Sequence, residues 1–259
     1  MDENLRKILY GLKNGFDLPD PTDAELEAAY NAEDGSLDGY DCPRCRNRGY
    51  VWHVENGQRT AVECECMAVR RAKRRMAESG LDGLLDVYRF DNFRTDEEWQ
   101  RKAAQTARDF VQGCSEWYFM AGQPGCGKTH LCTAIVGRLI EAGSDMQYMR
   151  WVEDSSDILF SGFDDRGRKV RRFQTCELLY IDDFLKSQQG EEPSKREIRL
   201  AFEIVNHRYV NHLKTVFSSE KSPAEIMQLD EALGSRIYQR AKGATVCIRR
   251  AEGRNWRLK

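Results

Sequence analysis

The chain has 259 residues, 41% hydrophobic and 32% charged, which supports one substantial core and a smaller region beside it. A formal net charge of −2 excludes a uniformly basic surface, so any nucleic-acid contact must come from a local cluster. No apolar run approaches a membrane span and no charged-then-apolar leader opens the sequence, so we expect a soluble, cytoplasmic protein without a membrane partner.

Residues 1–40 are predicted to form a helical extension. Apolar residues recur at helical spacing over 5–12. Thr22 followed by Glu25 is a capping pattern that predicts a second short helix through Tyr30. Short isolated helices are marginal, so such a helix either packs locally or docks on a partner protein.

Two close pairs of cysteines flank a predicted hairpin in residues 41–67. The strands are predicted over 49–54 and 59–64, with the tight-turn dipeptide Asn56–Gly57 between them. Four thiolates from two turns can form a tetrahedral zinc site, and the alternative is four unliganded thiols. His53 is predicted to face solvent, because four sulfurs complete the shell. The predicted zinc ligands are Cys42, Cys45, Cys64 and Cys66.

A basic helix is predicted over 67–80, within a linker assigned to 68–85. It either follows a phosphate backbone or is a solvated connection. The main domain is assigned to 86–259. Its first feature is the aromatic cluster 88–93, which packs either on an adenine ring or in the core, and a helix is predicted over 102–111.

The segment Gly122–Thr129 is G-x-x-x-x-G-K-T, a phosphate-binding loop. An apolar strand is predicted before it over 117–120 and a helix after it over 131–139, as the motif requires. Glycines let backbone N–H groups point at phosphates. Lys128 is expected to reach the β- and γ-phosphates, and Thr129 to bind Mg²⁺. The predicted nucleotide contacts are Gly122, Gly125, Cys126, Gly127, Lys128, Thr129, His130 and, from the acidic strand described below, Asp182.

A second strand is predicted over 145–151, followed by an irregular, charged stretch over 152–175. Within it, residues 166–172 hold five basic side chains. This cluster either contacts nucleic-acid phosphates or is a solvated loop.

An apolar strand over 177–181 ends in two acids, Asp182 and Asp183. We expect it to lie beside the phosphate-loop strand. Asp182 would then hold Mg²⁺ through its water shell. Asp183 would orient or deprotonate the attacking water.

The remaining elements complete an α/β fold. Helices are predicted over 197–209 and 223–230, and strands over 213–219 and 245–248. Arg236 could reach the nucleotide of a neighbouring subunit and stabilise the transferring charge. The predicted fold is a mostly parallel five-stranded sheet with helices on both faces and a ligand at the carboxyl ends of its strands.

The phosphate loop together with Leu178–Phe184 is similar to AAA+ ATPases. Residues 201–204, 218–220 and 230–236, with the cysteine hairpin, resemble the DnaC/DnaI-type replicative helicase loaders of bacteria and phages. The resemblance covers about residues 40–259. It implies an AAA+ P-loop core after a zinc-ribbon region, with ATP, Mg²⁺ and Zn²⁺ as cofactors.

The same resemblance implies an ATPase that loads the replicative helicase hexamer onto single-stranded DNA during replication initiation and self-associates on binding ATP. The N-terminal part would contact the helicase. Arg236 would be an arginine finger that acts in trans. Ser218, Ser219 or Glu220 would sense the γ-phosphate, and Arg254 or Arg257 would replace a lid arginine.

Asp183 stands where most AAA+ proteins have glutamate, so we expect slow, partner-stimulated hydrolysis. One alternative is a nucleotide-gated helicase adaptor with little hydrolysis. Another is an IstB-type transposase-helper ATPase, against which the cysteine hairpin argues.

Overall fold

We analysed a computed structural model of the protein, which describes residues 21–79, 81–187 and 191–256. The helix predicted over 5–12 and Arg257 lie outside these residues. The chain divides into two compact units between Arg71 and Ala72. This division falls inside the stretch assigned to the linker.

The first unit is built on an antiparallel hairpin of β1 (Tyr50–Glu55) and β2 (Gln58–Glu63). Before it lies α1 (Asp23–Asn31), which begins with the predicted capping box between Thr22 and Glu25. After it, α2 (Cys66–Ser79) begins at the last clustered cysteine. The hairpin and the capped helix therefore form where the sequence predicts them.

Helix α1 packs locally, along the outer edge of β1. Asp23, Glu27 and Asn31 lie four residues apart, so they share one face of the helix. Asn31 accepts from the backbone N–H of Trp52 at 2.9 Å and donates to its carbonyl at 2.8 Å. Glu27 accepts from the N–H of Val54, and Asp23 from the N–H groups of the turn. These side chains satisfy strand-edge groups that would otherwise need water or another strand.

The second unit holds a five-stranded sheet in the order β4-β5-β6-β3-β7, with every pair parallel. Its strands are β3 (Trp117–Gly122), β4 (Met146–Arg150), β5 (Leu178–Asp182), β6 (Lys214–Ser219) and β7 (Thr245–Ile248). The parallel α/β fold class is confirmed, but β5 does not lie beside the phosphate-loop strand β3. Strand β6 lies between them, and its residues Thr215–Ser219 are all buried. A strand enclosed on both faces and both edges is typical of the centre of a parallel sheet.

Helices cover both faces of this sheet. They are α3 (Asp82–Val87), α4 (Glu98–Val111), α5 (Lys128–Glu141), α6 (Trp151–Phe160), α7 (Phe163–Thr175), α8 (Lys195–Val210), α9 (Pro223–Leu229) and α10 (Glu231–Arg240). Adjacent residues of a strand point to opposite faces. The ring of Trp117 lies 6.3 Å from Tyr209 of α8, whereas that of Tyr118 lies 5.5 Å from Phe110 of α4. In the described residues, no helix is long and apolar enough to cross a membrane.

The prediction that residues 152–175 are irregular is wrong, because they form most of α6 and all of α7. Their charge density hides a buried stripe, in which Ile158, Val170 and Phe173 join the core. Ion pairs such as Lys169 with Asp165, four residues apart, support the exposed face. Tertiary burial therefore stabilises a helix that the composition does not favour.

Candidate nucleotide site and cysteine cluster

The phosphate loop joins β3 to α5 through two left-handed glycines. Gly125 has φ +74° and Gly127 has φ +91°, a region that residues with a Cβ rarely adopt. Helix α5 then begins at Lys128, so its free N–H groups face the loop. Lys128 is 6% exposed, and its ammonium donates to the carbonyls of Gly122 at 2.8 Å and Gln123 at 3.2 Å. The Lys128 side chain is therefore folded back onto the same loop that is predicted to bind the phosphates.

Asp182 ends β5 directly opposite Thr129. Its Oδ1 lies 3.5 Å from the Thr129 hydroxyl. It accepts from the Tyr180 hydroxyl at 2.8 Å, the Tyr148 hydroxyl at 3.0 Å and the Ser218 hydroxyl. Burial raises the pKa of both tyrosines, and the negative charge of Asp182 raises it further. Both phenols therefore remain donors, and they aim the carboxylate at the hydroxyl predicted to bind Mg²⁺.

The next acid, Asp183, sits in a small charge network. Its backbone is left-handed, with φ +53°, and its N–H donates to Ser218 Oγ at 2.9 Å. Its Oδ2 lies 2.9 Å from the Nζ of Lys186, which also lies 3.2 Å from Glu220 Oε1. Burial lowers the pKa of Lys186, but the two carboxylates outweigh this effect and raise it. Lys186 is not among the predicted site residues, although it stands three residues after Asp183 in the sequence.

A cavity beside the phosphate loop is lined by Lys128 and Thr129. Of the three candidate γ-phosphate sensors, Glu220 lines this cavity, whereas Ser218 and Ser219 are fully buried. The Ser219 hydroxyl donates to the carbonyl of Phe184 at 2.8 Å. Both serines are thus engaged in holding the end of β5. The cavity itself measures about 240 Å³.

An aromatic wall closes one side of the cavity. The His130 ring lies 4.9 Å from that of Tyr88 and 5.0 Å from that of Phe93. Its Nε2 is 2.9 Å from the carbonyl oxygen of Arg89, and burial lowers the pKa of the imidazole. Phe93 packs against the loop itself, since a Cβ on Gly127 would come within 2.9 Å of its ring. Tyr88 and His130 line the cavity.

The segment after β7 returns to the phosphate loop, which the sequence did not predict. The N–H of Trp256 donates to the Gly125 carbonyl at 3.1 Å, and that of Ala251 to Gln123 Oε1 at 2.8 Å. Trp256 lines the cavity. Arg254, the predicted replacement for a lid arginine, lies instead over the ring of Trp99, at 5.4 Å.

Arg236, the predicted arginine finger, lies on α10. Its Nη1 donates to the carbonyl of Ala232 at 2.7 Å. Its guanidinium lies 5.1 Å from the ring of Phe202 and 5.4 Å from that of Tyr209. These contacts hold it against α8 of its own chain, and its role towards a neighbour stays a prediction.

All four predicted zinc ligands meet in one buried cluster. Their Sγ atoms lie within 4.8 Å of one another, with Cys42 and Cys64 3.8 Å apart and Cys45 and Cys66 3.4 Å apart. Tetrahedral zinc with bonds of about 2.3 Å places its sulfurs about 3.8 Å apart, so the cluster fits this ion. His53 lies outside the cluster, 3.5 Å from Glu27.

The thiols of the cluster are electrostatically unequal. Burial raises the pKa of Cys66, as do bonds to the other thiols, to about 12. Burial also acts on Cys45, but the N–H of Gly49, 3.4 Å away, and the neighbouring thiols lower its pKa to about 6. Thiols held this close together suit a bound cation, which would neutralise the negative charge of their thiolate forms.

Three of the five basic side chains in the stretch 166–172 pair with acids within the unit. Arg166 pairs with Glu203 at 2.5 Å, and Lys169 with Asp157 at 2.7 Å. Beside it, at the junction of α6 and α7, two aromatic side chains are turned to solvent. Phe160 is 86% exposed and Phe163 is 94% exposed. This pair is not among the predicted site residues, although two phenylalanines flank Ser161–Gly162 in the sequence.

Comparison with known proteins places this geometry among replication ATPases. The model of the bacterial DnaA ATPase domain family matches residues 84–242. Two relatives come from Bacillus subtilis (strain 168). The uncharacterized protein YqaM is 30% identical, over 81% of this chain and 83% of that protein. The phage-like element PBSX protein XkdC is 31% identical, over 82% of this chain and 84% of that protein.

Solved structures share the fold of the second unit. The DnaC helicase loader matches with a TM-score of 0.52 and 22% identity, over 64% of this chain and 98% of that chain. Replication initiator DnaA bound to AMPPCP and single-stranded DNA matches with a TM-score of 0.52 and 21% identity, over 63% of this chain. This chain spans 50% of that DnaA chain. These matches confirm the AAA+ P-loop fold. The family match supports nucleotide binding and a replication-related ATPase function.

Proposed function

The chain belongs to the family of the bacterial DnaA ATPase domain, and on that premise we propose that it is an ATP-dependent loader of the replicative DNA helicase. It would place the helicase on single-stranded DNA during replication initiation. The observation that carries this proposal is that Lys128, Thr129 and Asp183 line one cavity, while Asp182 lies 3.5 Å from the Thr129 hydroxyl. The end of the phosphate loop and the end of β5 supply these groups, as phosphate binding and Mg²⁺ binding require.

The residues present fit ATP with Mg²⁺. Lys128 would exchange its two loop carbonyls for phosphate oxygens. Thr129 and Asp182 would hold the Mg²⁺, which neutralises charge on the phosphates. Asp183 would orient the attacking water, and Glu220 is the proposed sensor of the γ-phosphate because it lines the cavity. The wall of Tyr88, His130 and Trp256 is proposed to face the base.

The partners are proposed from the two surfaces outside this cavity. The first unit, stabilised by Zn²⁺ at the four cysteines, would contact the helicase hexamer. Exposed Phe160 and Phe163 suit base stacking, which is how sequence-independent single-strand binding gains affinity. Arg236 would complete the site of a neighbouring copy, so ATP binding is proposed to promote self-association.

A nucleotide-gated adaptor with little hydrolysis is the second candidate. It is favoured by the ion pair of Lys186 with Asp183, because this pair occupies an oxygen that water activation needs. In this case ATP binding alone would switch the protein between helicase-holding and helicase-releasing states.

Lys128→Ala tests the proposed function. We expect it to lose affinity for a magnesium–ATP analogue and to abolish helicase loading on circular single-stranded DNA, because no other side chain of the loop carries a positive charge. Lys102→Ala is the matched control, since Lys102 is an exposed lysine paired with Glu98 on α4. Loading by the Lys128 variant at the unsubstituted rate would contradict the proposal.

Asp183→Asn separates the loader from the adaptor. Loss of both turnover and loading supports an ATPase-driven loader. Loss of turnover with loading retained supports the adaptor.

A further inference from the structure

The turn after β5 projects Lys186 back over Asp183. Asp183 and Leu185 both have left-handed backbones, with φ of +53° and +58°. Such conformations are unfavourable for residues with a Cβ and persist only where the surroundings fix them. The N–H of Lys186 donates to the Asp183 carbonyl at 3.0 Å and closes the turn.

Strand β6 and the core fix this turn from below. Phe184 is fully buried and Leu185 is 1% exposed. The N–H of Phe184 donates to the carbonyl of Ser218 at 2.8 Å, and its carbonyl accepts from the Ser219 hydroxyl at 2.8 Å. These contacts hold the backbone of the turn in place, so Lys186 stands where its side chain can reach Asp183.

Lys186 joins the two acids that face the phosphate end of the cavity. Its Nζ lies 2.9 Å from Asp183 and 3.2 Å from Glu220, and all three residues line the same cavity as Lys128. The carboxylates keep the ammonium charged. A carboxylate oxygen that accepts from an ammonium is a weaker acceptor for the proton of a water molecule.

The Lys186 side chain also borders a second cavity. This cavity measures about 320 Å³, and Lys186 lines it together with Val152 and Ser155 of α6 and the carboxylates of Glu191 and Glu192. The side chain can thus leave Asp183 and meet other acids while the turn keeps its conformation.

From these contacts we propose that Lys186 is a positioning residue, which holds Asp183 away from the attacking water and keeps ATP turnover slow. Each turnover then requires the ion pair between Lys186 and Asp183 to break. The inference rests on the proposed ATPase function and deepens it, because it names what limits the basal rate.

The test is steady-state ATP turnover by the full-length protein. We expect Lys186→Gln to raise kcat about two- to fivefold, the range that a partly exposed ion pair contributes. KM for ATP should rise as well, because Asp183 and Glu220 then face the phosphates without a neutralising charge. Lys186→Arg should keep the slow rate, and Lys169→Gln, a lysine paired with Asp157 on the other side of α6, should change neither constant.

A second background shows whether Lys186 acts through Asp183. In Asp183→Asn, the further change Lys186→Gln should alter turnover by less than about twofold, since the carboxylate it held is gone. If Lys186→Gln does not fold, as judged by circular dichroism, Lys186→Met keeps the aliphatic stem and carries the same test. An unchanged or lower kcat for Lys186→Gln or Lys186→Met in the otherwise unsubstituted protein overturns the inference, and a lower kcat indicates that Lys186 binds phosphate instead.

Two failures can be told apart. If the unsubstituted protein binds no ATP analogue, the proposed function fails. If it binds and hydrolyses ATP but Lys186→Gln leaves kcat unchanged, only the inference about Lys186 fails.

Discussion

Arg208 of α8 provides a quantitative test of how the second unit is held together. Its side chain is fully buried, and burial lowers the pKa of its guanidinium. Its partners among the described residues are mainly backbone carbonyls at the end of α7 and the start of β5 and β6. The last carbonyls of a helix lack partners within it, so the guanidinium caps α7. The acceptors are the carbonyls of Phe173, Gln174, Cys176, Glu177 and Lys214 and the hydroxyl of Thr215.

Arg208→Met should cost the unit a large part of its stability. Three of these carbonyls, on Phe173, Cys176 and Lys214, accept at 3.0, 2.9 and 2.7 Å. Each buried carbonyl left without a donor costs about 1–3 kcal/mol. Methionine recovers part of this, because a buried charge carries a desolvation cost of several kcal/mol. We expect a net loss of about 3–5 kcal/mol in the free energy of unfolding.

Urea unfolding followed by circular dichroism and tryptophan fluorescence measures this loss. Arg199→Met, at an exposed position of the same helix, should change the free energy of unfolding by less than about 0.5 kcal/mol. Arg208→Lys should recover only part of the loss, because an ammonium cannot reach acceptors on several sides. A loss below about 1 kcal/mol for Arg208→Met would refute the account of this arginine as a structural cap.

Two further predictions concern the surfaces outside the nucleotide site. Cys45→Ser should reduce bound zinc from one equivalent to near zero and unfold the hairpin, because structural zinc contributes on the order of 10 kcal/mol to folding. The control Cys114→Ser, at an exposed cysteine, should retain the metal. Zinc retained by the Cys45 variant would contradict the assignment of the zinc site. Phe163→Ala should weaken single-stranded DNA binding about fivefold to a hundredfold without changing its salt dependence. The control Val210→Ala, at another exposed apolar position, should not weaken it. If Phe163→Ala binds DNA as tightly as the unsubstituted protein, the phenylalanines do not stack on bases.

Local signals predicted most of the elements. The phosphate loop, the apolar strand before Asp182 and the cysteine hairpin each carry their chemistry within a few consecutive residues. The Thr22–Glu25 capping box likewise specifies its helix without help from distant parts of the chain. Such features are readable because short-range geometry alone determines them.

The misses all depend on tertiary contacts. Helix α7 was predicted as a loop because its burial comes from Val170 and Phe173 against the core, which its dense charge conceals. The ion pair of Lys186 depends on a left-handed turn that Asp and Leu rarely adopt. The return of Trp256 to the phosphate loop joins residues 131 positions apart, at the end of the chain and in its middle. No periodicity in a single sequence encodes such contacts.

The misplaced strand changes how the site works. If β5 lay beside β3, β6 would not separate these strands and its end would not lie between the phosphate loop and the two acids. With β6 between them, the Ser218 hydroxyl bonds to Asp182 and accepts from the N–H of Asp183. Two residues further, Glu220 shares Lys186 with Asp183. The end of β6 is therefore bonded to both acids, so a shift at this end should move Asp182, the proposed Mg²⁺ ligand, and Asp183, the proposed water-orienting group, together.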